Sequence, residues 1–367
     1  MAPRVDGQSP AAVAVAVSLA DLHALVYPTA IPPGSLDELP ALYGSLASTE
    51  PFFRIHEGIL PTGSCILEGP HHVLVFCQNG DTVEILNKVF EIPPADAARA
   101  CTAIFRAMPH IRRIHLEVMF PPNQLPLPWR ALSDSLHRLI DLPATVDEYT
   151  ASLGVSARRN LRKYERRLLR DFPDRTTQVM VTGDRSSELF QLFRDWKASR
   201  FAKHGKRSYW ENKPEAVKAF TDLLRESGEA QVTYVGGEPA GMILFFSLGS
   251  VIDSNEGAFD PRYERYALGS LMNYWMVCHA VRCGARRVYL GMGPNDYLEQ
   301  FGSKTVSATR LSVFRNPIAR LWSLDEASDI ARRRLRRAVH TSYWRIRHVA
   351  VRVARAAGVR RRIDEAG

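Results

Sequence analysis

The stretch that decides the fold runs from Arg262 to Leu290 and reads RYERYALGSLMNYWMVCHAVRCGARRVYL. Its opening, Arg262–Ser270, places two arginines, a glycine and a small residue directly before an apolar segment. Leu268–Arg282 is long and apolar enough for a helix, and Arg287–Leu290 is a short strand-like run ending at Gly291. Because the first N–H groups of a helix are unpaired and its dipole favours negative charge, the pattern predicts a helix start that receives an anion.

Helical and strand-like segments surround this stretch. The helical patterns are Ser187–Lys203, Lys213–Ser227 and a short one around Tyr297; the strand-like runs are Gln231–Val235, Ala240–Leu248, Val251–Ala258 and Thr309–Phe314. The order of these elements predicts a mixed sheet with helices on both faces.

An earlier part of the chain, residues 51–140, predicts a second α/β unit. Val73–Gln78 and Thr82–Leu86 are β-rich, and Asn79-Gly80 between them is a strong hairpin signal. A helix over Ala95–Met108, a strand over Arg113–Val118 and a short helix near Trp129–Leu136 complete the unit.

Composition narrows the classes of function. The 367 residues are enough for two or three domains, and the net charge is +9. Residues 315–367 hold 14 Arg against 5 acids, so this tail accounts for the whole excess. The folded part is nearly neutral, which disfavours DNA binding. The five cysteines have no metal-like or framework-like spacing, which predicts free thiols in a reducing compartment and no metal site.

Both ends of the chain differ from the middle. Residues 1–40 contain Pro28, Pro32, Pro33 and Gly34 and predict a disordered or loose leader rather than a signal peptide. In residues 316–367 apolar side chains recur at helical spacing among arginines, which predicts a basic amphipathic helix. Its apolar stripe would lie on an anionic membrane surface or on the protein itself.

Three motifs resemble a known family. They are Leu142-Pro143 with Glu148-Tyr149 and the Arg-rich helix 158–170; Gly237-Glu238-Pro239-Ala240-Gly241; and the run from Asp260 through Gly269-Ser270 and Gly284 to Val288–Gly291 and Tyr297–Gly302. Residues 187–314 are similar to the GNAT N-acyltransferase fold. The span 50–315 resembles the branch with two GNAT-like units in tandem, which includes the Fem peptidyltransferases and the CelD-like acyltransferases.

The resemblance implies an α/β (α+β) fold of two tandem GNAT-like mixed-sheet units with flanking helices and the C-terminal amphipathic helix. The implied division is a leader (1–40), an N-terminal unit (41–145), a basic helical connector (146–175), the acyltransferase unit (176–315) and the tail (316–367). The seven basic residues of the connector helix would guide an anionic acceptor or tRNA, or form a solvated face.

The resemblance also implies a site. The donor turn of the family is Arg/Gln-x-x-Gly-x-Gly/Ala, and Arg262, Arg265, Leu268, Gly269 and Ser270 occupy that region here. Leu268 stands where the family has a glycine, and Ser270 takes the place of the last small residue. The expected donor is acyl-CoA; the departure weakens the case for acetyl-CoA and leaves room for a longer acyl group or an aminoacyl-tRNA.

Two residues of the sequence are candidates for acid and base catalysis. Tyr297 matches the position of the general acid in the family. Glu256 is preferred over Asp253 as general base, because the two differ in parity along a strand and only a bulge would let both face the site.

The predicted function is N-acyl transfer from acyl-CoA to an amine of a sugar, peptide or small metabolite. The alternatives are an aminoacyl-tRNA-dependent Fem-like transferase and a non-catalytic, membrane-associated adaptor. The predicted location is cytoplasmic, free or peripheral on the inner membrane face.

Overall fold

One continuous sheet organises the chain. A computed structural model describes residues 16–173, 176–203, 205–292 and 296–322. The described residues up to Arg315 form one compact unit, and the residues from Asn316 onward belong to a second. Within the first unit thirteen described strands lie in the order β1-β2-β3-β4-β5-β6-β13-β7-β12-β11-β10-β9-β8.

The strands are numbered along the chain. They are β1 (Val17–Leu19), β2 (Ala24–Tyr27), β3 (Gly63–Leu67), β4 (His72–Asn79), β5 (Thr82–Ile85), β6 (Arg113–Val118), β7 (Trp129–Asp141), β8 (Thr176–Thr182), β9 (Glu229–Val235), β10 (Glu238–Leu248), β11 (Val251–Phe259), β12 (Arg287–Met292) and β13 (Lys304–Phe314).

Eight α-helices are described. They are α1 (Ser35–Tyr43), α2 (Pro94–Ala107), α3 (Val146–Ser152), α4 (Val155–Asp171), α5 (Gly183–Ala202), α6 (Pro214–Ser227), α7 (Leu268–Arg282) and, in the second unit, α8 (Pro317–Trp322). A 3-10 helix (Leu46–Ser48) and a π-helix (Phe52–Glu57) follow α1, and 3-10 helices also span Pro261–Tyr266 and Asp296–Phe301.

Two strand pairs of the sheet are parallel, and each is joined by one crossing helix. Thr82–Glu84 of β5 pair with Arg113–His115 of β6, and α2 connects them. Val251–Asp253 of β11 pair with Arg287–Tyr289 of β12, and α7 connects them. A parallel pair needs such a crossover, so the two halves of the chain repeat the same supersecondary unit.

Helices cover both faces of the C-terminal half of the sheet. Alternate residues of β10 point to opposite faces: Ile243 and Phe245 pack with α3, α4 and α7, whereas Met242, Leu244 and Phe246 pack with α5 and α6. All five are buried, which explains why β10 is a nearly continuous apolar run in the sequence.

Several sequence-based predictions are confirmed. The β4–β5 hairpin pairs Asn79 with Thr82, and Gly80 has the positive φ that such a turn requires. Helix α7 has the predicted limits, and the short helix around Tyr297 is present. The mixed α/β sheet with flanking helices is as expected.

The predicted short helix near Trp129–Leu136 is wrong. Those residues begin strand β7, which pairs with β13 from Trp129 to Leu139 and with β12 nearer its end. The segment contains few β-branched residues, so local propensity favours a helix, but strand partners on both edges override it.

The leader prediction needs a correction over residues 17–40. Strands β1 and β2 and most of α1 lie there, and Val26 and Leu39 are fully buried. Pro28, Pro32 and Pro33 occupy the loop between β2 and α1 instead of marking an unfolded start, and Pro40 lies inside α1. The remaining domain boundaries stay a prediction, and the predicted C-terminal amphipathic helix, after Trp322, lies outside the described residues.

Candidate active site

A large cavity opens where β11 and β12 part. Their parallel pairing ends at Asp253 and Tyr289, although both strands continue. Beyond this point lies a cavity of about 1120 Å³, lined from the α5 face by Lys197 and Arg200 and from the α7 face by Ser270 and Asn273. A pocket for a drug-sized ligand occupies roughly 300–1,000 Å³, so the space suits two substrates meeting end to end.

A β-bulge shapes the wall of this cavity. Glu256 of β11 pairs with Leu244 and Ser254 with Phe245, so residue 255 has no partner on β10. Ile252 therefore packs with α7 whereas Ala258, six residues later, packs on the opposite face with α5. Because the extra residue reverses the alternation, Asp253 and Glu256 both line the cavity.

Asp253 is the most unusual group of the site. Its side chain is buried, and Oδ2 accepts a hydrogen bond of 3.1 Å from the backbone N–H of Leu46. Among the described residues no hydrogen-bond partner reaches Oδ1. Burial raises the pKa of Asp253 to about 7, and the Leu46 hydrogen bond only partly opposes this. A carboxyl with a pKa near neutrality suits a general base.

Glu256, the predicted base, is tied to a cation. Nζ of Lys197 on α5 donates to Oε2 of Glu256 at 2.6 Å, and both side chains are partly buried. Oε2 of Glu256 is thus already held by a cation, whereas Oδ1 of Asp253 has no partner among the described residues. The structure thus brings Glu256 to the cavity but leaves Asp253 as the carboxyl better suited to the role of base.

Tyr297, the predicted acid, stands at the donor end. Its hydroxyl and that of Ser270 form a hydrogen bond of 2.8 Å, and its ring packs edge-on against Phe301. Desolvation raises the pKa of Tyr297, while hydrogen bonds from Ser270 and Asn273 oppose the shift. The phenol is therefore protonated at neutral pH and able to donate.

The predicted donor residues divide into two groups. Gly269 and Ser270, in the first turn of α7, line the cavity. Leu268 is fully buried in the core. Arg262 and Arg265 are exposed and engaged elsewhere: Arg262 pairs with Asp260 at 2.6 Å, and Arg265 lies 3.7 Å from Asp171. The two arginines and Leu268 are absent from the cavity wall, so a donor contact by any of the three stays a prediction.

Two polar residues near the first turn of α7 are not predicted from the sequence. Asn273 donates to the carbonyl oxygen of Gly269 at 2.7 Å and so fixes the first turn of α7. Arg200, at the end of α5, lies over the ring of Phe259 at 5.8 Å and lines the cavity. Both stand inside helical patterns, where a polar residue is usually a solvated one, so only tertiary structure reveals them.

Two further observations bear on the class of protein. In the described part of the chain, no group of three or more His, Cys, Asp or Glu side chains could hold a metal ion. Among the same residues, no helix combines the length and the apolar character that crossing a bilayer demands.

Comparison with known proteins agrees with this geometry. Residues 155–298 match the family described as "Acetyltransferase (GNAT) domain". The crystal structure of FemX is similar with a TM-score of 0.60 at 11% identity, covering 81% of this chain and 99% of FemX. A conserved protein of unknown function from Bacteroides thetaiotaomicron gives 0.53 at 10% identity, covering 78% and 98%. A search of curated proteins found no significant match.

Residues 155–298 therefore match a GNAT domain, and the chain shares its fold with FemX. The resemblance inferred from the three sequence motifs is confirmed at the level of fold.

Proposed function

We propose that the protein transfers an acyl group from acyl-CoA to a primary amine, with Asp253 as general base and Tyr297 as general acid. The observation that carries this proposal is their placement in one cavity: a buried carboxyl with a pKa of about 7 and a protonated phenol line its wall. Such a pair can take a proton from the attacking group and give one to the leaving group.

The chemistry follows from these positions. Asp253 accepts a proton from the acceptor ammonium, and the amine nitrogen attacks the carbonyl carbon of the thioester. When the C–S bond breaks, the thiolate takes the proton of Tyr297, and the second proton that the nitrogen loses as the amide forms passes to the Tyr297 oxygen.

The donor end suits a phosphate-bearing molecule. Gly269 and Ser270 in the first turn of α7 line the cavity, and the dipole of a helix favours an anion at its N-terminus. Arg200 lines the same end, and its positive charge acts on Tyr297. These features support a diphosphate at the helix start with the thioester directed towards Tyr297.

A binding and turnover experiment tests the proposal. Calorimetry with acetyl-CoA and longer acyl-CoA esters should show binding, and release of free thiol should depend on an added amine from a panel of amino sugars, amino acids and polyamines. Absence of both binding and amine-dependent thiol release would refute the CoA donor. Transfer that persists in Asp253→Asn and Tyr297→Phe would refute the assigned roles.

A second candidate keeps the chemistry but uses an aminoacyl-tRNA as donor. Helix α4 supports it, because Arg159, Arg162, Lys163 and Arg166 are exposed on it. Within the described ranges none of the four forms an ion pair, and such a basic face suits a phosphate backbone.

Nuclease treatment separates the two donors. Transfer from an aminoacyl-tRNA should vanish after nuclease treatment and weaken in Arg159→Glu/Arg162→Glu, whereas transfer from acyl-CoA should survive both. A membrane-associated location, through the basic tail, belongs to the same proposal and is tested by co-sedimentation with anionic vesicles.

A further inference from the structure

A hydrogen-bonded chain runs from the cavity into the sheet beside Asp253. The hydroxyl of Tyr289 lies 2.5 Å from Nδ1 of His137, and Nε2 of His137 lies 2.7 Å from Oγ of Ser135. His137 is 1% exposed, and Ser135 Oγ lies 3.4 Å from the carbonyl oxygen of Ala308. Tyr289 and His137 both line the cavity.

The donors and acceptors of this chain fix its direction. Desolvation lowers the pKa of His137, so the imidazole is neutral and has one donor and one acceptor nitrogen. When Tyr289 donates to Nδ1, every proton of the chain meets an acceptor among the described residues, whereas in the reverse direction the Tyr289 proton meets none. Nε2–H then donates to Ser135, which donates to Ala308. The single proton of the Tyr289 hydroxyl is thus donated to His137. The Tyr289 oxygen can therefore only accept hydrogen bonds from other groups.

Two carboxyl groups line the same cavity as the Tyr289 oxygen. Asp253 is the register partner of Tyr289 on the neighbouring strand, and its Oδ1 has no partner in the described residues. Glu117 of β6 lines the same cavity, with Oε1 accepting from the N–H of Val89 at 2.9 Å. Burial raises the pKa of Tyr289, and the charges of Asp253 and Glu117 raise it further.

The nearby lysines are engaged by other carboxylates. Lys88 pairs with Glu57, and Lys197 pairs with Glu256. Neither pair leaves a cation to neutralise Asp253 and Glu117. This part of the cavity therefore offers hydrogen-bond acceptors and negative charge.

We propose that Tyr289, Asp253 and Glu117 form a subsite for the protonated primary amine of the acceptor, with His137 as the residue that positions the Tyr289 hydroxyl. The inference rests on the proposed function and names the form in which the acceptor binds. An ammonium group has three N–H donors and no acceptor, which matches three acceptor oxygens. Asp253 then removes one of its protons, and the neutral amine is left to attack.

The test uses propylammonium in the absence of any acyl donor. Wild-type protein should bind propylammonium, detected by calorimetry and by a rise in the unfolding temperature. Tetramethylammonium, which has the same charge and no N–H donor, should give neither effect. Equal responses to the two cations would overturn the subsite without the use of any variant.

Variants locate the site. Tyr289→Phe should weaken propylammonium binding about tenfold, because a hydrogen bond to a charged group is lost. His137→Phe should weaken propylammonium binding less, because the Tyr289 hydroxyl is still present but is no longer held by a hydrogen bond to residue 137. Tyr274→Phe, whose hydroxyl bonds Thr150 instead, is the matched control and should bind as wild type. Unchanged binding in a folded Tyr289→Phe protein would also overturn the subsite.

Kinetics separate this inference from the proposed function. With acyl-CoA as donor, Tyr289→Phe should raise KM for the amine about tenfold and leave KM for the donor unchanged. If propylammonium binding depends on Tyr289 but acyl-CoA is neither bound nor cleaved, the subsite stands and the CoA donor is wrong. If acyl-CoA is used but binding shows no preference for N–H donors, the subsite is wrong.

Discussion

Asp253 combines two properties that oppose each other, since burial suits the neutral acid whereas catalysis needs the carboxylate. Its pKa of about 7 is high because its solvation is lost and only the Leu46 N–H partly replaces it. The cavity that it lines also holds Tyr289, Glu117, His137 and the Lys197–Glu256 pair, while Arg200, a further cation of the lining, lies over the ring of Phe259. The carboxylate is therefore a cost to the folded state at neutral pH.

The first prediction concerns the stability of Asp253→Asn. The pKa is near 3.9 in the unfolded chain and about 7 when folded. Between these values the folded state holds a proton that the unfolded state has lost, so stability falls as pH rises from about 4 to about 7. Asparagine stays neutral and keeps the acceptor for Leu46. The variant should unfold at a higher temperature than wild type at pH 8, and the difference should shrink steadily as the pH falls towards 4.

A surface carboxylate provides the control for that experiment. The hydrogen bond from Lys218 lowers the pKa of Asp222, so Asp222→Asn should have the opposite sign and slightly destabilise the protein at pH 8. An Asp253→Asn protein that is less stable than wild type at pH 8 would contradict the account.

The second prediction concerns Tyr297→Phe. The change removes the hydroxyl that contacts Ser270 and keeps the ring against Phe301. General acid catalysis contributes roughly 100- to 10,000-fold, so kcat should fall about a hundredfold. Binding of the donor should change little, because the loss lies in the transition state. Thiol release at saturating substrates measures kcat, with Tyr274→Phe as control. A fall of less than about threefold would remove Tyr297 from the chemistry.

One extra residue in strand β11 limits how much of the site can be predicted from the sequence. Tyr297, Gly269 and Ser270 follow from motif position, and all three line the cavity. Positions 253 and 256 differ in parity, so a regular strand would present only one of them. The bulge at residue 255 presents both, and a bulge has no reliable sequence signal when the extra residue is not glycine. The burial of Asp253 against Leu46 joins residues 207 positions apart, which local patterns do not encode.

At the scale of elements, the end of α1 supports the start of β11. Gly44 ends α1 with φ of 57°, and a Cβ at this position would lie 2.3 Å from Cγ2 of Val251. Val251 begins β11, two residues before Asp253. The close approach needs glycine both for its backbone conformation and for its missing side chain.

Gly44→Ala is the third prediction. The left-handed conformation costs an alanine about 1 kcal/mol, and overpacking against Val251 adds about 1–3 kcal/mol. The free energy of unfolding in urea should fall by about 3 kcal/mol. Gly34→Ala is the matched control, since Gly34 also has a positive φ, of 82°, but a Cβ there would meet no atom within 4 Å. Equal losses in the two variants would show that the contact with Val251 is unimportant.

Elements differ in how well local sequence predicts them. Helix α7 and the β4–β5 hairpin are confirmed because their apolar period and Asn79-Gly80 are local signals. Strand β7 is not predicted correctly, because its partners β12 and β13 lie some 150 or more residues later in the chain. No local pattern within Trp129–Leu136 indicates these partners.

At the scale of the whole molecule, the sheet interlocks the two halves of the chain. β13, the last strand, lies between β6 and β7 and is hydrogen-bonded to both. β7 in turn pairs with β12, so no edge of the sheet separates an N-terminal from a C-terminal half. Both parallel strand pairs belong to one hydrogen-bonded sheet.

The fourth prediction is that residues up to Arg315 unfold in one step. Far-UV circular dichroism, which reports the whole sheet, and the fluorescence of Trp129, Trp196, Trp210 and Trp275 should give the same midpoint in urea. Two resolved midpoints would show that the halves are independent.

The same interlocking predicts that a chain ending at residue 303, without β13, fails to form soluble protein, because β6 and β7 keep open edges.

The position of β13 has a consequence for synthesis on the ribosome. Residues 113–141 emerge roughly 170 residues before Lys304, a delay of roughly 8–35 s at 5–20 residues per second. Throughout that interval β6 and β7 lack the strand that joins them. The nascent chain therefore has two unpaired strand edges, which a chaperone must cover. Only a chain translated to about Phe314 can complete the sheet. A ribosome that stops earlier releases an incompletely folded chain, which is a substrate for degradation.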